Sequence, residues 1–138
     1  MELFFEFASQ QWIIFAALAV AVGMLVFHES QKAGPTVSPQ QAINLINAED
    51  GVFVDLRDAS DFKQGHIVDA VNIPFSKITD GESQLNTYRQ KPVVLVCKMG
   101  QHSGAAGKQL RSAGFEKVYK MAGGMLEWTN MQLPTVRS

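Results

Sequence analysis

Cys97 is the only cysteine of the 138-residue chain and the side chain best suited to covalent chemistry. A single cysteine forms no intramolecular disulfide, and it does not supply the thiolate cluster of a structural zinc site. We predict no metal ion and no cofactor. The thiol is therefore either inert packing, as free cysteines often are, or a nucleophile.

The residues around Cys97 favour the nucleophile. Val93–Val96 is an apolar run without alternation, as expected of a central strand that is covered on both faces. Ligands of open parallel sheets bind beyond the carboxyl ends of the strands, which is where Cys97 would lie. Gly100 allows the following loop to turn its backbone N–H groups towards the sulfur, and a helical pattern begins near Ser103. Those N–H groups and the positive end of the helix would stabilise a thiolate or a bound sulfur anion.

Charged neighbours of the thiol are less decisive. Lys98 is adjacent to Cys97 and either adds a positive charge to the site or points to solvent. No obvious general base lies next to the cysteine in sequence. A thiolate that attacks a sulfur atom needs none when its leaving group is already an anion.

Strand and helix patterns alternate after residue 38 and would position this loop. Ser38, Pro39 and Gln41 supply an N-cap, a first-turn proline and a capping-box partner, which predict the start of a helix. Strands are predicted over residues 52–56, 70–74, 93–97 and 117–121, and further helices over 58–64, 78–89, 103–113 and 124–131. This alternation predicts an α/β domain with a mainly parallel sheet flanked by helices on both faces.

The chain begins with a different kind of segment. Residues 12–27 carry no charge, and extension back to Phe7 gives a run of about 20 residues, enough to cross a bilayer core of about 30 Å. A signal peptide is disfavoured because Glu2 and Glu6, rather than Lys or Arg, precede the run. A buried helix of the domain core is the other alternative. The predicted organisation is a transmembrane helix in residues 1–28, a linker over 29–37 and a folded domain over 38–138.

Charge restricts the location and the partners of the chain. Lys32 follows the apolar run and no Lys or Arg precedes it, so the positive-inside tendency predicts a single-pass protein with its N-terminus outside and its domain in the cytoplasm. Cys97 would then lie in a reducing compartment. The formal net charge is −1 and the charges are interleaved, so no cationic face is available and nucleic acid is a poor candidate partner.

Five stretches of the sequence resemble the rhodanese family in its single-domain form, and the apolar helix before them resembles the membrane-anchored type seen in bacteria. The stretches are VDLRD at 54–58, DFKQGHIVDAVNIP at 61–74, KPVVLVCKMGQHS at 91–103, GFEKVYKMAGGMLEW at 114–128 and LP at 133–134. The resemblance implies a rhodanese-like parallel-sheet α/β fold, sulfurtransferase activity and a place in the bacterial inner membrane.

In this resemblance Cys97 matches the cysteine that takes sulfane sulfur from thiosulfate or a protein persulfide and holds it as a persulfide. The sulfur then passes to cyanide, a thiol or a protein acceptor. The positions that match the substrate-binding loop are Lys98, Met99, Gly100, Gln101, His102 and Ser103. Asp55 and Arg57 would support that loop, although a structural ion pair is the other interpretation. The loop lacks the extra residue of phosphatase relatives, which disfavours phosphate ester hydrolysis.

His102 departs from the family pattern. Many rhodanese domains have arginine at this position, where a fixed fork of donors suits an anionic substrate. Histidine offers fewer donors, so we expect weak affinity for thiosulfate and a protein persulfide or another small molecule as the physiological donor. The alternative is that His102 is only a neighbour of a helix N-cap.

The N-terminal helix also supports a second class of function. Gly23 and four nearby alanines give it a small-residue face suited to close packing against other integral membrane proteins. The chain would then be an interaction module with vestigial or accessory sulfur chemistry. The two functions are compatible, and a plain alanine-rich anchor explains the same residues.

Overall fold

Residues 1–32 and 34–137 are described by the computed structural model, and the chain falls into two units, Met1–Gln31 and Lys32–Ser138. Helix α1, Glu2–Lys32, accounts for almost all of the first unit. Its segment Glu2–His28 has a mean hydropathy of 2.0 and is long and apolar enough to cross a membrane. A signal sequence meets the same criteria of length and composition, so the helix does not by itself locate the protein.

Helix and strand occupy part of the segment that the sequence predicts as a linker. Helix α1 continues to Lys32, because residues 29–32 include three good helix formers. Gly34 and Pro35 interrupt the helical pattern. Thr36–Val37 then form strand β1, which the sequence analysis does not contain because two residues are too few to show a periodicity.

A five-stranded parallel sheet in the order β1-β5-β4-β2-β3 forms the centre of the second unit. Its strands are Thr36–Val37 (β1), Val52–Asp55 (β2), Val71–Asn72 (β3), Val93–Val96 (β4) and Val118–Met121 (β5). All four residues of β4 are buried, as their continuous apolar character predicts. Val54 aligns with Leu95, and Leu95 aligns with Lys120, so the carboxyl ends of β2, β4 and β5 share one edge.

Helices connect these strands and cover both faces of the sheet, which confirms the predicted α/β architecture. They are α2 (Pro39–Glu49), α3 (Ala59–Gln64), α4 (Ile78–Gly81), α5 (Ser103–Ser112) and α6 (Gly124–Asn130), with 3-10 segments at Phe75–Lys77 and Glu82–Tyr88. Helix α2 begins as predicted: the Gln41 N–H donates to Ser38 Oγ at 3.2 Å and the Ser38 N–H donates to Gln41 Oε1 at 3.0 Å.

The predicted helix over residues 78–89 is wrong in its second half. Only Ile78–Gly81 is α-helical, and Glu82–Tyr88 is a 3-10 segment. Gly81 packs against Ile73 so closely that an added Cβ would lie 2.5 Å from Ile73 Cγ2. The packing therefore requires glycine at a position where glycine weakens an α-helix.

Two hydrophobic cores hold strand β4 from opposite faces. Val93 and Leu95 belong to the core that includes α5, whereas Val94 and Val96 belong to the core that includes α2 and α6. Burial of a side chain of this size contributes about 1.5–3 kcal/mol. Packing on both faces thus fixes the end of β4 and the position of Cys97, which joins the first core.

Candidate active site

Cys97 directly follows β4 at the carboxyl edge of the sheet, where the sequence predicts it. The first turn of α6 holds its backbone in place. The Met125 N–H donates to the Cys97 carbonyl at 2.8 Å, and the Leu126 N–H donates to the Lys98 carbonyl at 3.0 Å. Gly124 makes this approach possible, because a Cβ at that position would collide with the Cys97 carbonyl oxygen.

Two hydrogen-bond donors contact the Cys97 sulfur. The Gly100 N–H donates to Sγ at 2.7 Å, and the Ser103 hydroxyl donates to it at 3.6 Å. Gly100 has a φ of +94°, the left-handed conformation for which the sequence predicts a glycine here. The sequence predicts several backbone N–H donors around the sulfur. Among the described residues the turn at Gly100 brings one backbone N–H into range, and a hydroxyl supplies the second donor.

A cavity of about 300 Å³ opens beside Cys97. Its lining combines the loop after β4 with the connections after β2 and β3: Leu56, Arg57, Asp58, Asp61, Phe75, Ser76, Cys97, Lys98, Gln101 and His102. Cys97 is only 1% exposed, but it forms part of the cavity wall. Burial alone would fit inert packing. The Gly100 N–H on the sulfur and the place of Cys97 in the wall of an open cavity favour the nucleophile.

The predicted substrate-binding loop divides between this cavity and a neighbouring surface. Lys98, Gln101 and His102 line the cavity. Met99 does not; it is 55% exposed and lines an adjoining groove. Gly100 donates its N–H to the Cys97 sulfur instead of lining the cavity. The loop residues therefore fall into three groups: those that line the cavity, Met99 in the groove, and Gly100 at the sulfur.

His102 packs against Phe75 and forms part of the cavity wall with it. The two ring centroids are 4.6 Å apart, and the ring planes differ by 18°. His102 occupies the N-cap position of α5, but its side chain makes no capping hydrogen bond. The imidazole therefore lies where the sequence predicts a group that meets the substrate, and it is held there by stacking.

Asp55 forms an ion pair with Arg57, which lines the cavity. Arg57 Nε donates to Asp55 Oδ1 at 3.0 Å, and Arg57 Nη2 donates to Asp55 Oδ2 at 2.7 Å. Nη2 also donates to the Gly65 carbonyl at 2.7 Å. Asp55 is 1% exposed, so its carboxylate already neutralises the guanidinium inside the protein. This geometry matches the structural ion pair that the sequence leaves as one of two interpretations.

Asp58 and Asp61 line the cavity although the sequence analysis does not select them. Asp58 is the N-cap residue of α3 and Asp61 lies in its first turn, positions that favour acidic residues because the first N–H groups of a helix are unpaired. The sequence could have indicated these two residues, because the helix predicted over 58–64 directly follows a strand whose carboxyl end lies at the same sheet edge as Cys97. Over residues 1–32 and 34–137, no group of three or more His, Cys, Asp or Glu residues is placed to hold a metal ion.

A groove of about 370 Å³ adjoins the cavity, and we call it the Met99 groove. Arg57, Asp61 and Lys98 line both spaces. The other lining residues are Gln64, Gly65, Met99, Met125, Leu126, Thr129 and Thr135. The sequence analysis does not foresee this groove, because its walls come from α3, the loop after β4, α6 and the C-terminal segment.

Comparison with known proteins places the chain among rhodanese-like relatives. Residues 38–131 match the family described as Rhodanese-like domain. The uncharacterized protein YibN of Escherichia coli K12 is 35% identical over 130 residues, covering 94% of this chain and 89% of YibN. The thiosulfate sulfurtransferase GlpE of Pseudoalteromonas translucida is 32% identical over 92 residues, covering 67% of this chain and 86% of GlpE. The structure of the human single domain sulfurtransferase TSTD1 has a TM-score of 0.61 and 25% identity, covering 70% of this chain and 96% of that one.

Proposed function

Because this chain belongs to the rhodanese-like domain family, we propose that it is a sulfurtransferase that carries sulfane sulfur as a persulfide on Cys97. The observation that carries the proposal is the placement of Cys97, whose Sγ accepts the Gly100 N–H at 2.7 Å and which lines a cavity at the sheet edge. The names of the relatives GlpE and TSTD1 support the same chemistry.

Loading begins with attack of the Cys97 thiolate on the sulfane sulfur of a donor. One S–S bond forms to Sγ while the bond between the sulfane sulfur and its former partner breaks. The electron pair leaves with sulfite when thiosulfate is the donor, or with a thiolate when a persulfide is the donor. Since the leaving group is already an anion, the step needs no general acid.

The donors around Sγ stabilise the states in which that atom carries the negative charge. These are the free thiolate before loading and the departing thiolate after the sulfur has been passed on. A hydrogen bond to a charged group contributes about 1.5–3 kcal/mol, more than one between neutral groups. The Gly100 N–H and the Ser103 hydroxyl would therefore favour both attack and release.

Charge in the cavity disfavours a small dianion as the donor. Lys98 is the one lining cation without an ion-pair partner among the described residues, because Arg57 is matched by Asp55. Asp58 and Asp61 face the same space. A persulfide carries less charge than thiosulfate, so we propose a protein or small-molecule persulfide as the preferred donor.

Mass spectrometry of the full-length chain tests the proposed function. The reduced chain, incubated with thiosulfate or with a small-molecule persulfide, should gain one sulfur atom on Cys97. Cys97→Ser should gain none. A second control places a thiol at an exposed site, Ser83→Cys in the Cys97→Ser background, and should gain sulfur much more slowly than Cys97 does. A wild-type chain that takes up no sulfur from either donor would contradict the proposal.

We also propose that α1 anchors the protein in the bacterial inner membrane with the second unit in the cytoplasm. The apolar window Glu2–His28 and the position of Lys32 after it support this placement. A reducing compartment would keep Cys97 available for sulfur transfer.

A further inference from the structure

We propose that the Met99 groove binds an apolar side chain of a peptide segment whose neighbouring cysteine receives the sulfur from Cys97. This inference rests on the proposed function and names the class of acceptor for the same site. The acceptor cysteine would enter the cavity beside Sγ while the next side chain along its chain enters the groove.

Continuity between the two spaces is the first observation. Lys98 lines both the cavity and the groove, whereas the next residue, Met99, lines the groove alone. Consecutive Cα atoms lie about 3.8 Å apart, so the groove begins one residue step from the cavity. The two spaces therefore adjoin, and one bound peptide can place a side chain in each of them.

Exposed apolar side chains are the second observation. Met99 is 55% exposed and Leu126 is 51% exposed, on a unit whose large apolar residues are mostly buried in its two cores. Thr129 adds little polarity, because its Oγ1 donates within α6 to the carbonyls of Met125 and Leu126, at 3.0 Å each. Methionine side chains adapt to apolar partners of different shapes. This wall suits an apolar side chain.

Polar side chains at the same groove favour a peptide over a simple thiol. Gln64 and Thr135 line it and make no side-chain hydrogen bond within residues 1–32 and 34–137. Such groups can pair with the amide N–H and carbonyl groups of a peptide backbone. A binding site with an apolar wall and a few unsatisfied polar groups therefore suits a peptide, which presents both side chains and backbone amides.

The transfer step balances without any further reagent. The thiolate of the peptide cysteine attacks the terminal sulfur of the Cys97 persulfide and forms a new S–S bond. The bond between that sulfur and Sγ breaks, and its electron pair stays on Sγ. The Gly100 N–H donates a hydrogen bond to this atom and stabilises its negative charge. The peptide leaves as a persulfide and Cys97 returns as a thiolate.

A pair of peptides tests the groove. The full-length chain, kept in mild detergent and loaded with sulfur, is offered acetyl-Ala-Cys-Leu-Ala-amide or the same peptide with Ser in place of Leu. We expect kcat/KM for transfer to be at least about tenfold higher for the leucine peptide, as is usual when an apolar pocket gains its side chain. In Leu126→Ser that ratio should fall to near one.

The matched control is Met131→Ser, which changes an apolar residue of similar exposure, 43%, that lines neither space. Its ratio between the two peptides should stay at the wild-type value. Sulfur uptake by each variant, read by intact mass, shows that its site is folded.

The results distinguish a failure of the proposed function from a failure of the Met99 groove as a peptide-binding site. A chain that takes sulfur from neither thiosulfate nor a small-molecule persulfide overturns the proposed function and the groove with it. A chain that loads normally but transfers equally to both peptides, or keeps its preference in Leu126→Ser, overturns the groove alone. Equal transfer to a small thiol such as cysteamine also overturns the peptide as the acceptor class.

Discussion

His102 and Phe75 form the part of the cavity wall in which this chain departs from the arginine of many rhodanese domains. The imidazole stacks on the phenyl ring with the two ring centroids 4.6 Å apart. Asp58 and Asp61 line the same cavity. Neutral imidazole brings one N–H donor, whereas a guanidinium brings five in a fixed fork together with a permanent charge. We therefore expect this position to influence how well the cavity accepts an anionic donor.

His102→Arg should raise kcat/KM for loading from thiosulfate by about tenfold or more. The reason is that hydrogen bonds from a charged donor contribute about 1.5–3 kcal/mol, and guanidinium stacks on an aromatic ring such as Phe75 as imidazole does. Initial rates of sulfite release over a range of thiosulfate concentrations provide the measurement. His102→Gln, which adds a neutral donor and no charge, is the control and should bring no such gain. Unchanged loading in His102→Arg would show that the position does not meet the donor.

Single residues of the site were predictable when their reason was local. Cys97 at the end of an apolar run and Gly100 in the loop after it can both be recognised in the sequence, since strand, turn and helix follow one another directly. Phe75 and Asp61 were not predictable in the same way. They reach the cavity from other connections, and they line it together with Cys97 only because parallel strands end at a common edge.

At the scale of elements, the cavity depends on how closely α6 approaches the end of β4. The first turn of α6 donates two N–H groups to the carbonyls of Cys97 and Lys98. Gly124 has a φ of +57° and no room for a Cβ, so both its backbone conformation and its contact require glycine. Helix α6 thus holds the loop after β4 in place, although α5 and β5 separate the two in sequence.

Gly124→Ala should lower the free energy of unfolding of the second unit by about 2–4 kcal/mol, because left-handed strain and a steric clash add together. Urea unfolding of the full-length chain, followed by fluorescence of Trp128 in a Trp12→Phe background, measures the effect. Trp128 is a suitable probe because it is 3% exposed and packs edge-on against Phe53.

The matched control for this substitution is Gly104→Ala in α5. Nothing lies within 4 Å of a Cβ placed there, and alanine is the better helix former, so stability should stay the same or rise by up to about 1 kcal/mol. Equal stabilities of the two variants would argue against a tight contact between α6 and the loop.

Elements with a strong pattern were predictable, and elements defined by distant partners were not. The capping box of α2 and the apolar run of β4 carry their signals within a few residues. Strand β1 exists because Thr36 and Val37 align with Lys120 and Met121 far along the chain, and no local pattern indicates that pairing. The helix that was predicted to continue past Gly81 ends there for a similar reason, since Ile73 requires the glycine.

At the scale of the whole molecule, the chain joins an apolar helix to a rhodanese-like α/β unit. If α1 is an anchor, it is retained in the mature protein and holds the chain in the membrane. If it is a signal sequence, it is removed. The two cases differ in the intact mass of the mature protein and in how firmly it stays with the membrane.

The double substitution Leu18→Lys and Val22→Lys should move the protein from the membrane fraction to the soluble fraction after an alkaline wash. Each lysine at the centre of a spanning helix costs about 2.5–3.5 kcal/mol of insertion free energy. Quantitative immunoblotting of both fractions gives the distribution. Ser9→Lys, near the end of the apolar run, is the control and should leave the protein in the membrane. A mature chain whose mass lacks residues of α1 would contradict the anchor.

The strand order also governs how the protein is made. Strand β1 is the first to leave the ribosome but pairs only with β5, the last strand, and β4 stays open on one side until β5 arrives. Helix α6, which clamps the backbone of Cys97, is translated later still. The thiol of Cys97 is therefore synthesised before the helix that holds its backbone in place.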